Sequence, residues 1–190
     1  MNRLRAANSA AWGLVSVVIV GSLAGCTTSS IELLSYKDPY FPQRFRATFA
    51  QSTYRIAPDG DIHITTCTRP DIANPDDDGI VQYLHVQVYW KPAPGKTPAE
   101  STMSDALVRY VVATRTGVAV YTGTGFVFPK RKRGHRLHAE IELVRLHLDS
   151  QSGDLPDMLG DARLTGELGA REDPVSTTQI IRTMEQLAAR

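Results

Sequence analysis

A hydrophobic period of two is the feature that most limits how this chain can fold. The clearest run spans residues 136–149, where apolar residues alternate with charged residues or histidine along almost the whole length. Such alternation is typical of a strand with one face in the core and the other in solvent. Shorter runs of the same kind occur at residues 45–49, 62–65, 81–91, 106–113, 118–128 and 162–170. The pattern predicts roughly seven or eight short strands separated by turn signals.

The end of the chain changes to a helical period. Asp173 precedes Pro174, which is the order expected of an N-cap and the first turn of a helix. Apolar residues then fall on one side of residues 174–189, so this helix should pack on the domain. The combination predicts an all-β fold, mainly an antiparallel β-sandwich, with a C-terminal α-helix. A small β-barrel is the alternative arrangement for the same strands.

Two local irregularities are predicted inside these strands. Within residues 136–149 the apolar phase shifts by one position between Leu143 and Val144. A one-residue shift would turn the apolar side chains to solvent unless a bulge corrects it, so a bend is expected here. Gly123 and Gly125, in the preceding strand, indicate a bulge or a close approach of two backbones.

The N-terminus has the parts of an export signal. Arg3 and Arg5 precede an apolar run at residues 10–23, which is too short and too rich in glycine to cross about 30 Å of hydrocarbon comfortably. The run ends in Leu23, Ala24, Gly25 and Cys26. This tetrad resembles the lipobox of bacterial lipoproteins, in which a leucine and two small residues precede an invariant cysteine. The resemblance covers only the first 26 residues.

The resemblance implies how the mature protein is held. Residues 1–25 would be removed as a signal peptide, and Cys26 would carry a diacylglycerol and a further acyl chain, enough for stable anchoring. Thr27 stands where the family's inner-membrane retention signal would place Asp. In a cell with two membranes, the expected location is therefore the periplasmic face of the outer membrane. Residues 26–43 are predicted as the lipidated cysteine and its tether, and residues 44–190 as the globular domain.

Composition excludes some partners. Lys and Arg number 21 and Asp and Glu number 20, so the chain is almost neutral. A dedicated nucleic-acid-binding domain would normally be clearly basic, and an exported protein would not meet nucleic acid. Cys67 has no second cysteine to pair with once Cys26 is acylated, so it is expected to be a small apolar residue at a strand end.

No sequence motif assigns a catalytic residue. The chain has neither a Gly-x-Ser-x-Gly elbow nor a His-Glu-x-x-His zinc motif. His138, Glu140 and Glu142 share one face of a predicted strand and could support acid–base chemistry in a hydrolase. Any solvated strand face shows the same alternation, with cross-strand ion pairs as its ordinary use. The chain is therefore predicted to be non-catalytic.

Two charged segments are candidate binding sites. Asn74, Asp76 and Asp78 partly match the start of a calcium-binding loop, although an ordinary acidic turn has the same residues. No other cofactor is indicated. A second segment contains four consecutive cations, which could bind anionic lipid, a surface polymer or an acidic partner, or could be a solvated loop. These residues are Lys130, Arg131, Lys132 and Arg133.

The sequence favours one function over two others. The expected protein is a membrane-anchored envelope lipoprotein, whose non-catalytic β-sandwich binds or assembles with another envelope component. The partners would be the membrane, through acylated Cys26, and an envelope protein or a surface polymer. A periplasmic carrier of a small ligand is the alternative, and a hydrolase that uses His138, Glu140 and Glu142 is the third hypothesis.

The anchor can be tested by Cys26→Ala. Because the thiol is the site of lipid attachment, the variant should move from the membrane to the soluble fraction or remain as an uncleaved precursor. Cell fractionation followed by mass determination of the N-terminal peptide distinguishes these forms. Processing and lipidation equal to those of the parent protein would refute the anchor.

Overall fold

The computed structural model of the protein describes residues 29–69, 79–89 and 105–189. Within these ranges the chain forms nine strands and one helix. In chain order they are β1 (Ser29–Ser35), β2 (Gln43–Phe49), β3 (Gln51–Ile56), β4 (Ile62–Cys67), β5 (Val81–Val88), β6 (Ala106–Ala113), β7 (Gly117–Lys132), β8 (Arg136–Gly153), β9 (Ala162–Glu172) and α1 (Pro174–Ala188). The predicted all-β fold with a C-terminal helix is confirmed.

The described strands belong to one sheet that closes on itself. Their order is β2-β1-β9-β3-β4-β5-β6-β7-β8, and β8 pairs in addition with β9. Strands β3 to β9 therefore form a ring, and the β1–β2 hairpin lies beside β9 on the edge that also meets β3. All pairings are antiparallel except the short parallel contact between β3 and β9. Of the two predicted arrangements, the closed sheet corresponds to the small barrel.

Two strands lie where the sequence predicted other structure. Ser29–Ser35 falls within the predicted tether at residues 26–43, yet it forms β1 and pairs with β2 on one edge and β9 on the other. Ile31 and Leu33 of this strand are fully buried in the interior. The second strand is β3, which lies between the predicted runs at residues 45–49 and 62–65. The chain bends at Ala50, so β3 rather than β2 forms the hairpin with β4.

The interior of the ring is filled by the alternating apolar residues that the sequence identified. Leu84, Val86 and Val88 of β5 point inward. On β8 the predicted phase shift is confirmed as a bulge, because Ile141 pairs with Val127 and Leu143 pairs with Phe126, leaving the residue between them without a partner on β7. Residues on both sides of the bulge consequently point into the core.

Helix α1 packs on the outside of the ring and forms a second, smaller core. The Asp173 side chain caps the helix by accepting a hydrogen bond from the Ser176 N–H at 3.0 Å, as predicted. Ile180 and Met184 pack against a patch of the outer sheet face that includes Cys67 and Tyr83. Cys67 is buried at the end of β4, as expected, and burial raises the pKa of its thiol to about 11. The thiol is therefore unreactive at neutral pH.

Gly123 and Gly125 are required where β7 crosses close to β8. A Cβ atom at Gly123 would lie 1.8 Å from the carbonyl oxygen of Arg145, and one at Gly125 would lie 2.0 Å from that of Leu143. Both oxygens belong to the backbone, so the contact cannot be relieved by a side-chain movement. The predicted close backbone approach is confirmed.

Gly125→Ala should therefore destabilise the protein. The added methyl group must push β7 away from β8, which should lower the free energy of unfolding by about 1–3 kcal/mol or more. Chemical denaturation of the parent and the variant measures the change. Gly134→Asn is the matched control, since Gly134 has φ +73° with no atom near its Cβ position, and Asn tolerates left-handed backbone. Equal losses in the two variants would contradict the close approach.

Candidate functional site

The start of β1 marks the end of the domain nearest to the predicted anchor. The lipobox residues Leu23, Ala24, Gly25 and Cys26 lie outside the described residues. Ser29, three positions after Cys26, is fixed to β9: its hydroxyl donates to the Gly169 carbonyl at 3.1 Å and accepts from the Gly169 N–H at 3.0 Å. Three residues of extended chain span at most about 11 Å. If Cys26 is acylated, the domain is held close to the bilayer.

The four predicted anion-binding residues are brought together on one hairpin. Lys130, Arg131 and Lys132 end β7, and Arg133 begins the turn into β8; all four side chains are exposed. We call residues 130–136 the basic hairpin. Residues 126–139 contain five Lys or Arg residues and no Asp or Glu. The hairpin therefore forms a concentrated positive surface.

The turn of the basic hairpin is held to the end of β9. The His135 ring donates a hydrogen bond from Nδ1 to Glu172 Oε2 at 2.8 Å. The backbone adds a hydrogen bond from the Glu172 N–H to the His135 carbonyl at 2.9 Å. The side-chain bond from His135 lowers the pKa of Glu172. These contacts give the hairpin a defined position relative to the sheet.

The basic hairpin and the start of β1 lie at the same end of the sheet. Strands β1 and β8 are both antiparallel to β9, so they run in the same direction, and residues before β8 extend on the same side as residues before β1. Gly169, which bonds Ser29, pairs with His138, and His138 pairs with Lys130. Three neighbouring strand spacings therefore separate Ser29 from Lys130, a distance of about 15 Å. The turn projects beyond this row.

The opposite end of β1 carries an exposed aromatic loop. Residues 36–42 connect β1 to β2, and we call them the aromatic loop. Tyr40 is 86% exposed and Phe41 is 74% exposed, while Tyr36 is partly exposed at the base. Large apolar side chains with so much exposed area side by side are unusual on a monomer and are typical of a contact surface.

Hydrogen bonds hold the aromatic loop in a defined shape. The Asp38 carboxylate accepts from the Tyr40 N–H at 2.9 Å and from the Phe41 N–H at 3.3 Å, which forms a compact turn. At the base, the Tyr36 N–H donates to the Asp161 carbonyl at 2.8 Å. Lys37 Nζ also donates to the Asp157 carbonyl. The sequence did not indicate this site, because no local pattern shows whether Tyr40 and Phe41 are exposed or buried by the domain.

Residues 154–161 close the sheet at the same end as the aromatic loop. Leu155 and Leu159 pack into the interior. The Tyr121 hydroxyl donates to the Asp157 carboxylate at 2.8 Å and accepts from the Met158 N–H at 3.1 Å. Burial raises the pKa of Tyr121 to about 12. For Asp157, burial acts to raise the pKa, but hydrogen bonds from Gly160, Tyr121 and Leu159 outweigh it and lower the pKa.

Two clefts lined by described residues bear on the carrier hypothesis. A small apolar cleft between β2 and β5 has a volume of about 230 Å³, and Tyr110, Met158 and Leu159 form part of its wall. Drug-sized ligands usually occupy roughly 300–1,000 Å³. A larger cleft of about 480 Å³ near Tyr36 and Arg163 is open, and its lining is as polar as it is apolar. Neither has the enclosed apolar shape that the carrier hypothesis requires.

The residues of the hydrolase hypothesis do not converge in a cleft. Glu140 and Glu142 are exposed on the outer face of β8, and His138 is partly exposed beside them. Glu142 is the extra residue of the β8 bulge. Four clefts of the described part of the chain are lined by other side chains. This geometry gives the hydrolase hypothesis no support.

His63 and His85 form a contact that the sequence did not predict. His63 on β4 and His85 on β5 stack with ring centroids 5.3 Å apart, and His63 Nδ1 lies 3.1 Å from His85 Nε2. One nitrogen must donate and the other accept, so at most one ring can be protonated while the bond is kept. Burial, followed by His63 and the nearby arginines Arg109 and Arg55, lowers the pKa of His85 to about 3. Burial also lowers the pKa of His63.

The calcium candidates Asn74, Asp76 and Asp78 lie outside the described residues. Within the described ranges, no group of three or more His, Cys, Asp or Glu residues is arranged to hold a metal ion. Helix α1, the helix of that part of the chain, lacks the length and hydropathy needed to span a bilayer.

No family model, curated protein or solved structure matches the chain. Any functional assignment must therefore be argued from the residues themselves.

The histidine pair should make the protein less stable as the pH falls. His85 has a folded-state pKa below its unfolded value of about 6.5, so the folded state binds fewer protons. Its contribution is fully present above about pH 6.5 and is lost as the pH falls toward its folded pKa of about 3. Thermal unfolding at pH 7 and pH 5 should show a smaller loss of Tm for His85→Gln than for the parent.

The exposed residue His147 provides the control for that measurement. His147→Gln removes one histidine without touching the pair, so its loss of Tm between pH 7 and pH 5 should match that of the parent. If His85→Gln and the parent lose the same Tm over this range, the pair does not control the pH dependence.

Proposed function

We propose that this protein is an envelope lipoprotein, anchored through acylated Cys26, whose non-catalytic domain presents the aromatic loop to another envelope protein. The observation that carries the proposal is the separation of the two sites along β1. The strand begins three residues after Cys26 and ends at Ser35, directly before the loop. The periplasmic face of the outer membrane is the location that the proposal favours.

The separation gives the aromatic loop a defined height above the membrane. Seven residues of strand rise about 23 Å. With Ser29 held within about 11 Å of the lipidated cysteine, the loop extends away from the bilayer. Tyr40 and Phe41 would then be available to a protein partner, whereas the start of β1 would not.

The chemistry of the aromatic loop supports a protein partner rather than a solvated turn. Aromatic side chains provide much of the binding energy at protein interfaces, and rigid loops lose less entropy on binding. Tyr40 and Phe41 have both properties, because the Asp38 carboxylate fixes their backbone N–H groups. The partner surface expected for such a loop is an apolar pocket with hydrogen-bond acceptors for the Tyr40 hydroxyl.

Site-specific photocrosslinking in the native host tests the proposal. A photoreactive residue at Tyr40 or Phe41 should give one discrete protein adduct, and the adduct should be lost in the mislocalised Cys26→Ala protein. The same residue at Val175, which is 77% exposed at the start of α1, is the matched control and should not give that adduct. A Tyr40→Ser, Phe41→Ser double variant should reduce crosslinking from a neighbouring loop position by about tenfold, as expected for loss of an interface anchor.

Two outcomes would contradict the proposal. One is an acylated, correctly localised protein with no adduct from either loop position. The other is the same adduct from Val175 as from the loop, since the contact would then not be specific to the aromatic loop.

A further inference from the structure

We infer that the basic hairpin is a second membrane contact, which binds the anionic phospholipid headgroups of the membrane that holds Cys26. The inference rests on the proposed anchor but not on the partner of the aromatic loop. It assigns a ligand to Lys130, Arg131, Lys132 and Arg133, for which the sequence left lipid, surface polymer, acidic partner and solvent as alternatives.

The tether between Cys26 and Ser29 limits the distance between the domain and the bilayer. Leu168 of β9 pairs with Ala139 of β8, at the level of the start of β1, and the turn lies five residues beyond Ala139. Five residues of strand extend about 16 Å, and somewhat less along the β1 direction because neighbouring strands twist. The linkage between Cys26 and Ser29 spans no more than about 11 Å. The projection of the turn beyond the start of β1 is therefore no shorter than the tether, so the turn can reach the bilayer surface.

The basic hairpin carries a concentrated positive charge. Four consecutive exposed cations face solvent, and Arg136 adds a fifth positive charge on the other strand of the hairpin. Glu172 lies against the turn, and its carboxylate is bonded to His135. The tip is therefore net positive, and a cluster of this size is attracted to an anionic bilayer surface.

The attraction between these cations and an anionic membrane acts only at short range. Electrostatic attraction to a membrane decays over a Debye length, about 8 Å at physiological salt. Cations elsewhere on the domain, such as Arg145 and Arg163, lie near the opposite end of β9 and would be screened. The acyl chains supply a high local concentration of headgroups, so even a weak hairpin contact is occupied. Two attachment points would fix the orientation of the domain, with the aromatic loop directed away from the bilayer.

Hydrogen exchange of the acylated, full mature protein in vesicles tests the inference. One vesicle type contains only phosphatidylcholine, and the other contains three parts phosphatidylcholine to one part phosphatidylglycerol. Backbone exchange in residues 130–136 should be at least about fivefold slower in the anionic vesicles. This ratio follows from the binding free energy that one basic residue contributes near such a surface. The aromatic loop, at the other end, should exchange equally in both.

Matched charge reversals separate the hairpin from net charge. Lys132→Glu with Arg133→Glu should abolish the difference between the two vesicle types, whereas Arg145→Glu with Arg163→Glu changes the net charge equally and should leave it intact. Salt at 0.5 M should also reduce the difference in the parent protein, because screening shortens the range of the attraction. Unchanged exchange in the core strands confirms that each variant is folded.

The outcomes distinguish this inference from the proposed function. Equal exchange of the hairpin in both vesicle types, in a protein whose Cys26 is acylated by mass, would overturn the hairpin contact and leave the aromatic-loop proposal standing. Protection that both charge pairs abolish would show a general charge effect and would also overturn it. Protection in neither vesicle type but in the presence of the crosslinked partner would assign the hairpin to an acidic protein surface instead. A protein without acyl chains on Cys26 would contradict the anchor on which both proposals depend.

Discussion

Strand β9 closes the described sheet, because it pairs with strands on both of its edges. It pairs with β8 along almost its whole length, with β1 on its other edge, and with β3 at Arg171 and Glu172. Without these pairings the described sheet would have open edges at β3 and β8, and the interior side chains would face water. The contacts of β9 with β1 join residues more than a hundred positions apart. Closure of the sheet therefore depends on non-local pairings, which cost more loop-closure entropy than the pairings within hairpins.

The same pairings determine the two ends of the domain. Because β9 is antiparallel to both β1 and β8, it places the start of β1 beside the basic hairpin and directs the aromatic loop to the other end. Neither site is built on a cavity. Each is an exposed connection between two strands whose ends are fixed by hydrogen bonds to another element, His135 to Glu172 in one case and Tyr36 to Asp161 in the other. A rigid scaffold with functional connections is a common arrangement for binding proteins.

Local physics in the sequence predicted much of the fold. Alternation identified β5 and β8, the phase shift identified the β8 bulge, and Asp173 with Pro174 identified the start of the helix. It did not identify β1, because this strand is held by β9, which is distant in the chain, and by β2, from which two prolines separate it. The choice between a sandwich and a closed sheet depended on the β8–β9 register, and no local pattern contains that information.

The candidate sites were predictable to different degrees. The four consecutive basic residues can be read directly from the sequence. Their position relative to the start of β1 depends on strand pairing, which the sequence pattern does not show. The aromatic loop was missed since Tyr40 and Phe41 could equally have been buried by the domain. The His63–His85 contact depends on the β4–β5 register, which brings two separately unremarkable histidines within hydrogen-bond distance.

Energy transfer to a lipid-phase acceptor measures the orientation of the domain on the membrane. A fluorescent donor would be attached to Val175→Cys in one acylated protein and to Tyr40→Cys in another. Cys67 would not compete, because it is buried and its pKa is raised to about 11. The account predicts efficient transfer from position 175 and weak transfer from position 40, which should lie roughly 20 Å farther from the bilayer. Equal transfer, or stronger transfer from position 40, would contradict it.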